Sequence, residues 1–254
     1  MLNYIRAEFY KTTHRKGFYV LTATFMGICL LVHGIYAMSM PREAWSDYIS
    51  FILSAGVMLL ILPIFLIATI SSMTTGEEQR HDTLKNAVMS GMNRTSLFFG
   101  KYIVSLIISL VSGVMILLAY AGVPMLLFGG AGIEMAYVQE LGIRLLGALP
   151  IYMGSLALAT LLGLTMKSNT GSIFGYLAIF FFSNPILYYL LGKIIPFFRT
   201  VKDYTLYTQL EIMANGMIYP MEMHYVTEAI LVGLVTTVLF LGVGALLFRR
   251  QEIK

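Results

Sequence analysis

Residues 102–133 read YIVSLIISLVSGVMILLAYAGVPMLLFGGAGI and contain no Asp, Glu, Lys or Arg. A helix needs about 20 predominantly apolar residues to cross the hydrocarbon core of a bilayer. A charged residue at the centre of such a helix costs about 2.5–3.5 kcal/mol on insertion scales. Five further charge-free stretches of this kind occur, at 18–41, 48–76, 145–166, 168–192 and 229–248. Together the six stretches predict six membrane-spanning helices.

The composition of the whole chain leads to the same class of protein. Its 254 residues are 58% apolar and 12% charged, and its mean hydropathy is +0.79. Soluble domains carry about 25% charged residues, so the composition excludes a disordered chain, a coiled coil and an ordinary soluble enzyme. The strands of a membrane β-barrel alternate polar and apolar residues, and these stretches do not. We therefore predict an all-α membrane protein in which residues 1–254 form one transmembrane domain.

The basic residues indicate how the six helices are oriented. Of the 17 Lys and Arg residues, twelve fall in segments 1–17, 77–101 and 167–171 and after residue 248, and five fall in the alternate segments. Cytoplasmic loops are enriched in Lys and Arg, so both termini are predicted to lie in the cytoplasm. The net charge of +4 could in principle favour binding to nucleic acid. Because the basic residues cluster between apolar runs, we expect the chain to interact with a lipid membrane and not with nucleic acid.

The basic segment before the first apolar run is predicted to form an amphipathic helix that lies in the membrane interface. Projected on a helix, its two faces differ in character: apolar Leu2, Ile5 and Phe9, joined by Thr12 and Thr13, lie opposite Glu8, Lys11 and Arg15. The alternative is a frayed basic tail that anionic lipids retain.

A second helix is predicted at 77–89, between the second and third spans. Thr75 and Glu78 have the spacing of a capping box, which marks a helix start. Leu84, Ala87, Val88 and Gly91 form a narrow apolar stripe on this otherwise polar helix. Such a helix suits docking into a groove on a partner protein. The alternative is a solvated helix that packs on its own bundle.

The segment 193–228 is predicted to form short re-entrant or interfacial helices between the fifth and sixth spans. It is rich in aromatic residues and methionine, including Phe197, Phe198, Met213, Met217 and Tyr219. Irregular backbone at membrane depth is tolerated only where protein or water covers it. These side chains are either packing filler or an adaptable surface for apolar substrates.

Several proline residues interrupt the apolar runs, and they favour kinks in the predicted helices. Pro63, Pro124 and Pro150 are predicted to produce ordinary kinks, which neighbouring helices stabilise by satisfying the freed carbonyls. Asn184-Pro185 is either another such kink or a gating hinge.

Motifs for catalysis, metal binding or nucleotide binding are missing from the sequence. Gly100-Lys101 and Gly192-Lys193 lack the other residues of a P-loop, and no H-E-x-x-H or G-x-S-x-G occurs. Ionisable residues inside membrane helices usually mark ion pathways. Only His33 lies well within a predicted span, with Arg144 and Glu228 at span ends. We therefore expect an energy source outside this chain, and we interpret His33 as a residue that hydrogen-bonds another helix.

The overall pattern resembles the ABC-2 type permease subunits of bacterial ABC transporters. The resemblance covers the whole chain, from the basic amphipathic N-terminal helix to the apolar segment between the last two spans. Its most specific part runs from Glu78-x-x-x-Asp82-Thr83-Leu84-Lys85 through Asn93-Arg94 to Gly100-Lys101. The sequence departs from the family pattern at Asp82, where Gly is usual, and at Met92, where Pro is common.

The resemblance implies that residues 77–89 are a coupling helix seated in a groove of a separate ATPase. The residues it assigns to that contact are Glu78, Asp82, Thr83, Leu84, Lys85, Val88 and Arg94. ATP and magnesium would bind the partner ATPase, with no cofactor on this chain. Residues 1–16 would be a connecting helix, and the chain would pair with a second permease copy or a paralogue.

A chain of this length is similar to permeases of the bacterial cytoplasmic membrane that give immunity to peptide antibiotics or export several drugs. An amphipathic substrate is therefore expected. Two other classes stay open at this point: an intramembrane enzyme, such as a protease or lipid transferase, and a structural or sensory membrane subunit that transports nothing.

Overall fold

A computed structural model of the chain describes residues 2–80, 89, 91–128, 134–166, 168–216 and 218–250. The described α-helices are, in chain order, α1 (Leu2–Thr13), α2 (Lys16–Ser39), α3 (Trp45–Gly56), α4 (Pro63–Arg80), α5 (Arg94–Leu117), α6 (Val123–Phe128), α7 (Met135–Thr165), α8 (Asn169–Pro185), α9 (Gly192–Ile194), α10 (Phe197–Val201), α11 (Leu206–Ala214) and α12 (Met223–Arg250). Within those ranges no residue belongs to a strand. Six helical segments are long and apolar enough to cross a membrane. The predicted all-α membrane fold with six spans is confirmed.

The second predicted span is interrupted rather than continuous. Between α3 and α4 the chain forms a 3-10 turn over Met58–Ile61, just before Pro63, which has no backbone N–H to continue an α-helix. Both halves of this span contact the same helix, α7. Gly56 approaches Leu141 near the start of α7, and Thr75 approaches Gly163 near its end. The segment therefore crosses the bundle once, alongside α7.

Two helices form the centre of the bundle because their backbones approach closely. α7 is the most buried of the spanning segments, and α12 packs along it. At the contact, Gly233 of α12 lies directly against the backbone at Pro150 and Ile151 of α7, where a Cβ atom would have no room. Around this pair, a buried core joins residues of α4, α7, α8, α11 and α12.

Contacts between helices show which helix ends lie at the same end of the bundle. Tyr4 of α1 lies against Gly100 of α5, and Arg94 donates a hydrogen bond to the carbonyl oxygen of Arg249 at 3.2 Å. The start of α1 and the end of α12 are therefore at one end of the bundle, which we call the termini end. At the opposite end, the rings of Tyr36 and Tyr48 stack 3.5 Å apart.

The interpretation of His33 as a helix-to-helix hydrogen-bonding residue is confirmed. The His33 side chain is buried, and its Nδ1 lies 3.0 Å from the hydroxyl of Tyr48. The contact joins α2 to α3.

Candidate functional site

The predicted coupling residues lie mostly outside the described residues. Asp82, Thr83, Leu84, Lys85 and Val88 fall in the segment 81–88, and for Glu78 only the helical backbone is described. Arg94 begins α5.

The capping box at Thr75 is wrong as a helix start. Thr75 lies inside α4, which runs on to Arg80, and its hydroxyl donates to the carbonyl oxygen of Ser71 at 2.8 Å. A threonine followed by glutamate three residues later also occurs within a continuing helix, so the pattern alone does not mark a boundary.

The N-terminal helix packs on the bundle with residues from both its apolar and its polar face. Ile5 packs on a buried cluster that includes Phe18, as expected for its apolar side. However, Glu8, which the helical projection put on the polar face opposite Ile5, is only 5% exposed. Phe9, predicted to share the face of Ile5, is 38% exposed. The side chain of Leu2 is not among those described.

Lys101 explains the inward orientation of Glu8. The Lys101 side chain is 0% exposed, within α5, and not in a loop as its place among the loop basic residues implied. Its Nζ donates to the carbonyl oxygen of Thr74 at 2.7 Å and lies 3.5 Å from Oε2 of Glu8. Lys11 is 3.8 Å from the other carboxylate oxygen. A buried charge is tolerated only when it is paired, so the carboxylate of α1 is held against α5.

Hydroxyl and guanidinium groups add to this polar cluster. The hydroxyls of Thr74 and Ser105 lie 2.6 Å apart, which connects α4 directly to α5. Arg15, which the sequence grouped with Glu8 on the polar face of the N-terminal segment, lies between α1 and α2 and donates to the carbonyl oxygen of Met73. The sequence signal for Lys101 was present: Lys101 and Ser105 are four residues apart, on one face of an otherwise apolar helix.

Two further helices contact the same part of α4. Thr75 lies against Gly163 of α7, and Gly76 lies against the side chain of Asn169 at the start of α8, so closely that a Cβ on either glycine would overlap its neighbour. Ser168 caps α8 by accepting a hydrogen bond from the N–H of Gly171 at 3.1 Å. We call Met73, Thr74, Thr75 and Gly76 the α4 junction.

At the opposite end, Arg144 organises part of the predicted outer segment. Its side chain is 1% exposed, and Nε donates to Oε1 of Glu140 at 2.9 Å. Nη1 donates to the carbonyl oxygen of Ile212 at 3.1 Å, and Nη2 to that of Tyr219 at 2.8 Å. A cation at the C-terminal end of α11 satisfies carbonyls that the helix leaves free. The sequence had placed Arg144 only at the end of a span.

The predicted outer residues do not form one site. Met213 is buried beside Gly147, and Tyr219 is half-buried with its carbonyl on Arg144. Phe197 and Phe198 belong to α10, where their rings pack edge to face at 6.0 Å, and Phe197 is 69% exposed. Met217 lies outside the described residues.

Lys202, which follows α10, is paired with a neighbouring carboxylate in the outer segment. It donates to Oδ1 of Asp203 at 2.7 Å, and this hydrogen bond raises the pKa of Lys202 above its usual value. The side chain therefore stays charged at neutral pH, with its ammonium 5.3 Å from the centre of the Tyr188 ring.

Neither polar cluster has the composition of a metal site. Among the residues described, no group of three or more His, Cys, Asp and Glu side chains is placed to hold a metal ion. The α4 junction instead resembles a mechanical connection. Its hydrogen bonds join α4 to α5 and, through Lys101 and Glu8, to α1, and close contacts at two glycines join it to α7 and α8.

Comparison with known proteins identifies the family. The family described as "ABC-2 family transporter protein" matches residues 4–185, which is more than two thirds of the chain. The chain belongs to the ABC-2 transporter family. It is therefore a multi-pass membrane permease that works with an ABC ATPase as the transmembrane subunit of a transporter. A comparison with curated protein sequences found no match.

The family match extends from α1 to the end of α8 of the permease. It includes the α4 junction, both partners of the Glu8–Lys101 ion pair, and the predicted coupling segment. Arg144 also lies within the matched residues, whereas α11 and Tyr219, which it holds, follow them.

Proposed function

We propose that the permease is one half of an ATP-driven exporter, and that movement of the partner ATPase enters it through residues 77–89 and the α4 junction. The observation that carries the proposal is the position of Lys101, which bonds the carbonyl of Thr74 while it pairs with Glu8. This cluster lies directly before the segment that the sequence predicts to be the coupling helix.

The mechanism follows from the connections of the α4 junction. Residues 77–80 continue α4, so a displacement of the segment after them acts first on the last turns of that helix. Packed elements with fixed hydrogen bonds move together. A movement of the junction is therefore passed to α1 through Lys101 and Glu8, to α5 through Ser105, and to α7 and α8 through the two glycine contacts.

The export of amphipathic molecules is the transport activity that the chain supports best. α10 and the residues before it expose large apolar side chains, among them Ile194 and Phe197. The path would be completed by a second permease copy or a paralogue, in the cytoplasmic membrane of a bacterium. ATP and magnesium would act on the partner ATPase only.

We expect Leu84→Asp to abolish co-purification of the partner ATPase. The new carboxylate would enter an apolar groove and lose its hydration there. The matched control is Asn86→Asp, which adds the same charge outside the stripe formed by Leu84 and Val88. Retention of the ATPase and the thermal stability of the permease are measured on the same detergent preparation. Loss of stability with normal ATPase retention would instead show that the segment packs on its own bundle.

We expect the termini end of the bundle to face the cytoplasm, as the distribution of Lys and Arg predicts. Cys29, the one cysteine of the chain, is first replaced by alanine. Single cysteines then replace exposed residues: Glu43 or Thr200 at the opposite end, or Met89 near the termini end. An impermeant thiol reagent added to intact cells should label positions 43 and 200 and spare 89. Labelling of position 89 alone would show that the termini end faces the outside of the cell.

A further inference from the structure

The interruption of the second span has the hydrogen-bond pattern of a flexible joint. From Val57 to Phe65 the backbone bonds join residues three apart, as in Leu60 N–H to Val57 C=O at 3.2 Å and Leu62 N–H to Leu59 C=O at 3.0 Å. A 3-10 segment inside a helix has poorer hydrogen-bond geometry and often marks a hinge. Pro63 follows at the first position of α4, where it donates no hydrogen bond to the turn before it.

Tyrosine hydroxyls from two neighbouring helices bind the backbone at this joint. Tyr152 of α7 donates to the carbonyl oxygen of Leu60, within the 3-10 turn. Tyr176 of α8 donates to the carbonyl oxygen of Ile64, in the first turn of α4, at 3.4 Å. Tyr176 is 1% exposed, so its bond is shielded from bulk water. The Leu60 carbonyl lies three residues before Pro63, which has no N–H to donate, so Tyr152 supplies its donor from outside the segment. The Ile64 carbonyl lies at the N-terminal end of α4, where carbonyls are bonded within the helix, and Tyr176 adds a second donor to it.

The joint also contacts the outer segment. α11 packs against the 3-10 turn, and Leu60 shares a buried cluster with Leu206, Leu210 and Met213 of that helix. The far end of α11 is held by Arg144. One short helix therefore lies between the joint and a fixed anchor.

We infer that residues 57–63 are a hinge of the second span, that Tyr152 and Tyr176 hold it in the conformation seen here, and that its bending moves α11. The inference rests on the proposed function for the source of the force, which would reach α4 at its junction. The hinge lies about 10–19 residues before that junction, and α4 connects the two. Asn184-Pro185 is secured differently, because the Asn184 side chain donates to the Thr208 hydroxyl of α11 at 2.8 Å.

The test measures the bend directly in the purified full-length chain. On the Cys29→Ala background, spin labels are attached at Ser54→Cys in α3 and Ser72→Cys in α4, one on each side of the hinge. An uninterrupted helix would separate their backbones by about 27 Å, for 18 residues at about 1.5 Å each. We expect Tyr152→Phe with Tyr176→Phe to shift or widen this distance distribution, because each change removes one hydroxyl and leaves the ring.

Two controls separate a hinge from general loosening of the bundle. Tyr102→Phe removes a similar hydroxyl, which donates to the carbonyl of Met153 at 3.3 Å, outside the hinge. Labels at Val235→Cys and Leu246→Cys report on α12, which has no interruption. The distance between positions 54 and 72 should stay the same in the Tyr102→Phe variant. The distance along α12 should stay the same in the tyrosine variants. If the double variant does not fold, Tyr176→Phe alone, with its longer bond, is measured.

An unchanged distance between positions 54 and 72 in the tyrosine variants overturns the inference. A change that also appears in the Tyr102 variant or along α12 overturns it as well. These measurements need no ATPase, so they stand apart from the proposed function. Where the ATPase co-purifies, trapping it with ATP and vanadate should shift the same distance. If no ATPase is retained, the proposed function fails while the hinge is still tested.

Discussion

Lys101→Met should lower the free energy of unfolding of the permease by about 3–5 kcal/mol, the usual cost of removing one partner of a buried ion pair. The substitution leaves the Glu8 carboxylate, only 5% exposed, without its buried cation. It also removes the donor to the Thr74 carbonyl. Lys11 stays 3.8 Å from Glu8, which favours the lower end of the range.

The loss is measured by thermal unfolding in detergent, with Lys11→Met as the matched control. Lys11 is 40% exposed and pairs with the same carboxylate, so its removal should cost about 0–1 kcal/mol. Glu8→Gln combined with Lys101→Met removes both charges and should recover part of the stability. Equal stability of the Lys101 and Lys11 single variants would show that the buried pair does not hold α1 in place.

Arg144→Met should release α11 from α7. The change removes the donors to three carbonyl oxygens, those of Ile212, Met213 and Tyr219, and a buried carbonyl without a partner costs about 1–3 kcal/mol. Because each 1.4 kcal/mol is a factor of ten in an equilibrium constant, the open population of α11 should rise at least about tenfold. A cysteine at Met213, which is buried in the native chain, should then react correspondingly faster with a thiol reagent on the Cys29→Ala background.

Arg199→Met is the control for the Arg144 experiment. Arg199 also donates to a backbone carbonyl, that of Gly192 at 3.0 Å, but it is exposed, so water replaces the lost bond. Labelling at position 213 should stay at the native rate. Equal labelling in the Arg144 and Arg199 variants would show that packing of α11, and not the buried arginine, keeps it closed.

The six spans were predictable because insertion into lipid depends on local composition. A charge-free stretch such as 102–133 specifies a membrane helix whatever surrounds it. The interruption at 58–61 was not predictable in the same way. Pro63 marked only a kink, and the tyrosines that bind the turn come from helices that follow it by about 90 and 110 residues in the chain.

The polar clusters show where local patterns fail. A helical projection assigns Glu8 to the polar, exposed face, because it contains no information on the partner that neutralises the charge. That partner, Lys101, is 93 residues away. Arg144 likewise binds carbonyls 68 and 75 residues further along the chain. Backbone acceptors have no sequence signature, since every residue carries one.

The close backbone contact of α7 and α12 has a consequence for biosynthesis. The ribosome makes α12 after every other described helix, so the backbone at Pro150 lacks its contact with Gly233 until α12 enters the membrane. Spans one to five must therefore wait in the bilayer as an incomplete assembly, and such intermediates expose surface to wrong partners. We conclude that α12, and not the first span, completes the α7–α12 centre of the nascent permease.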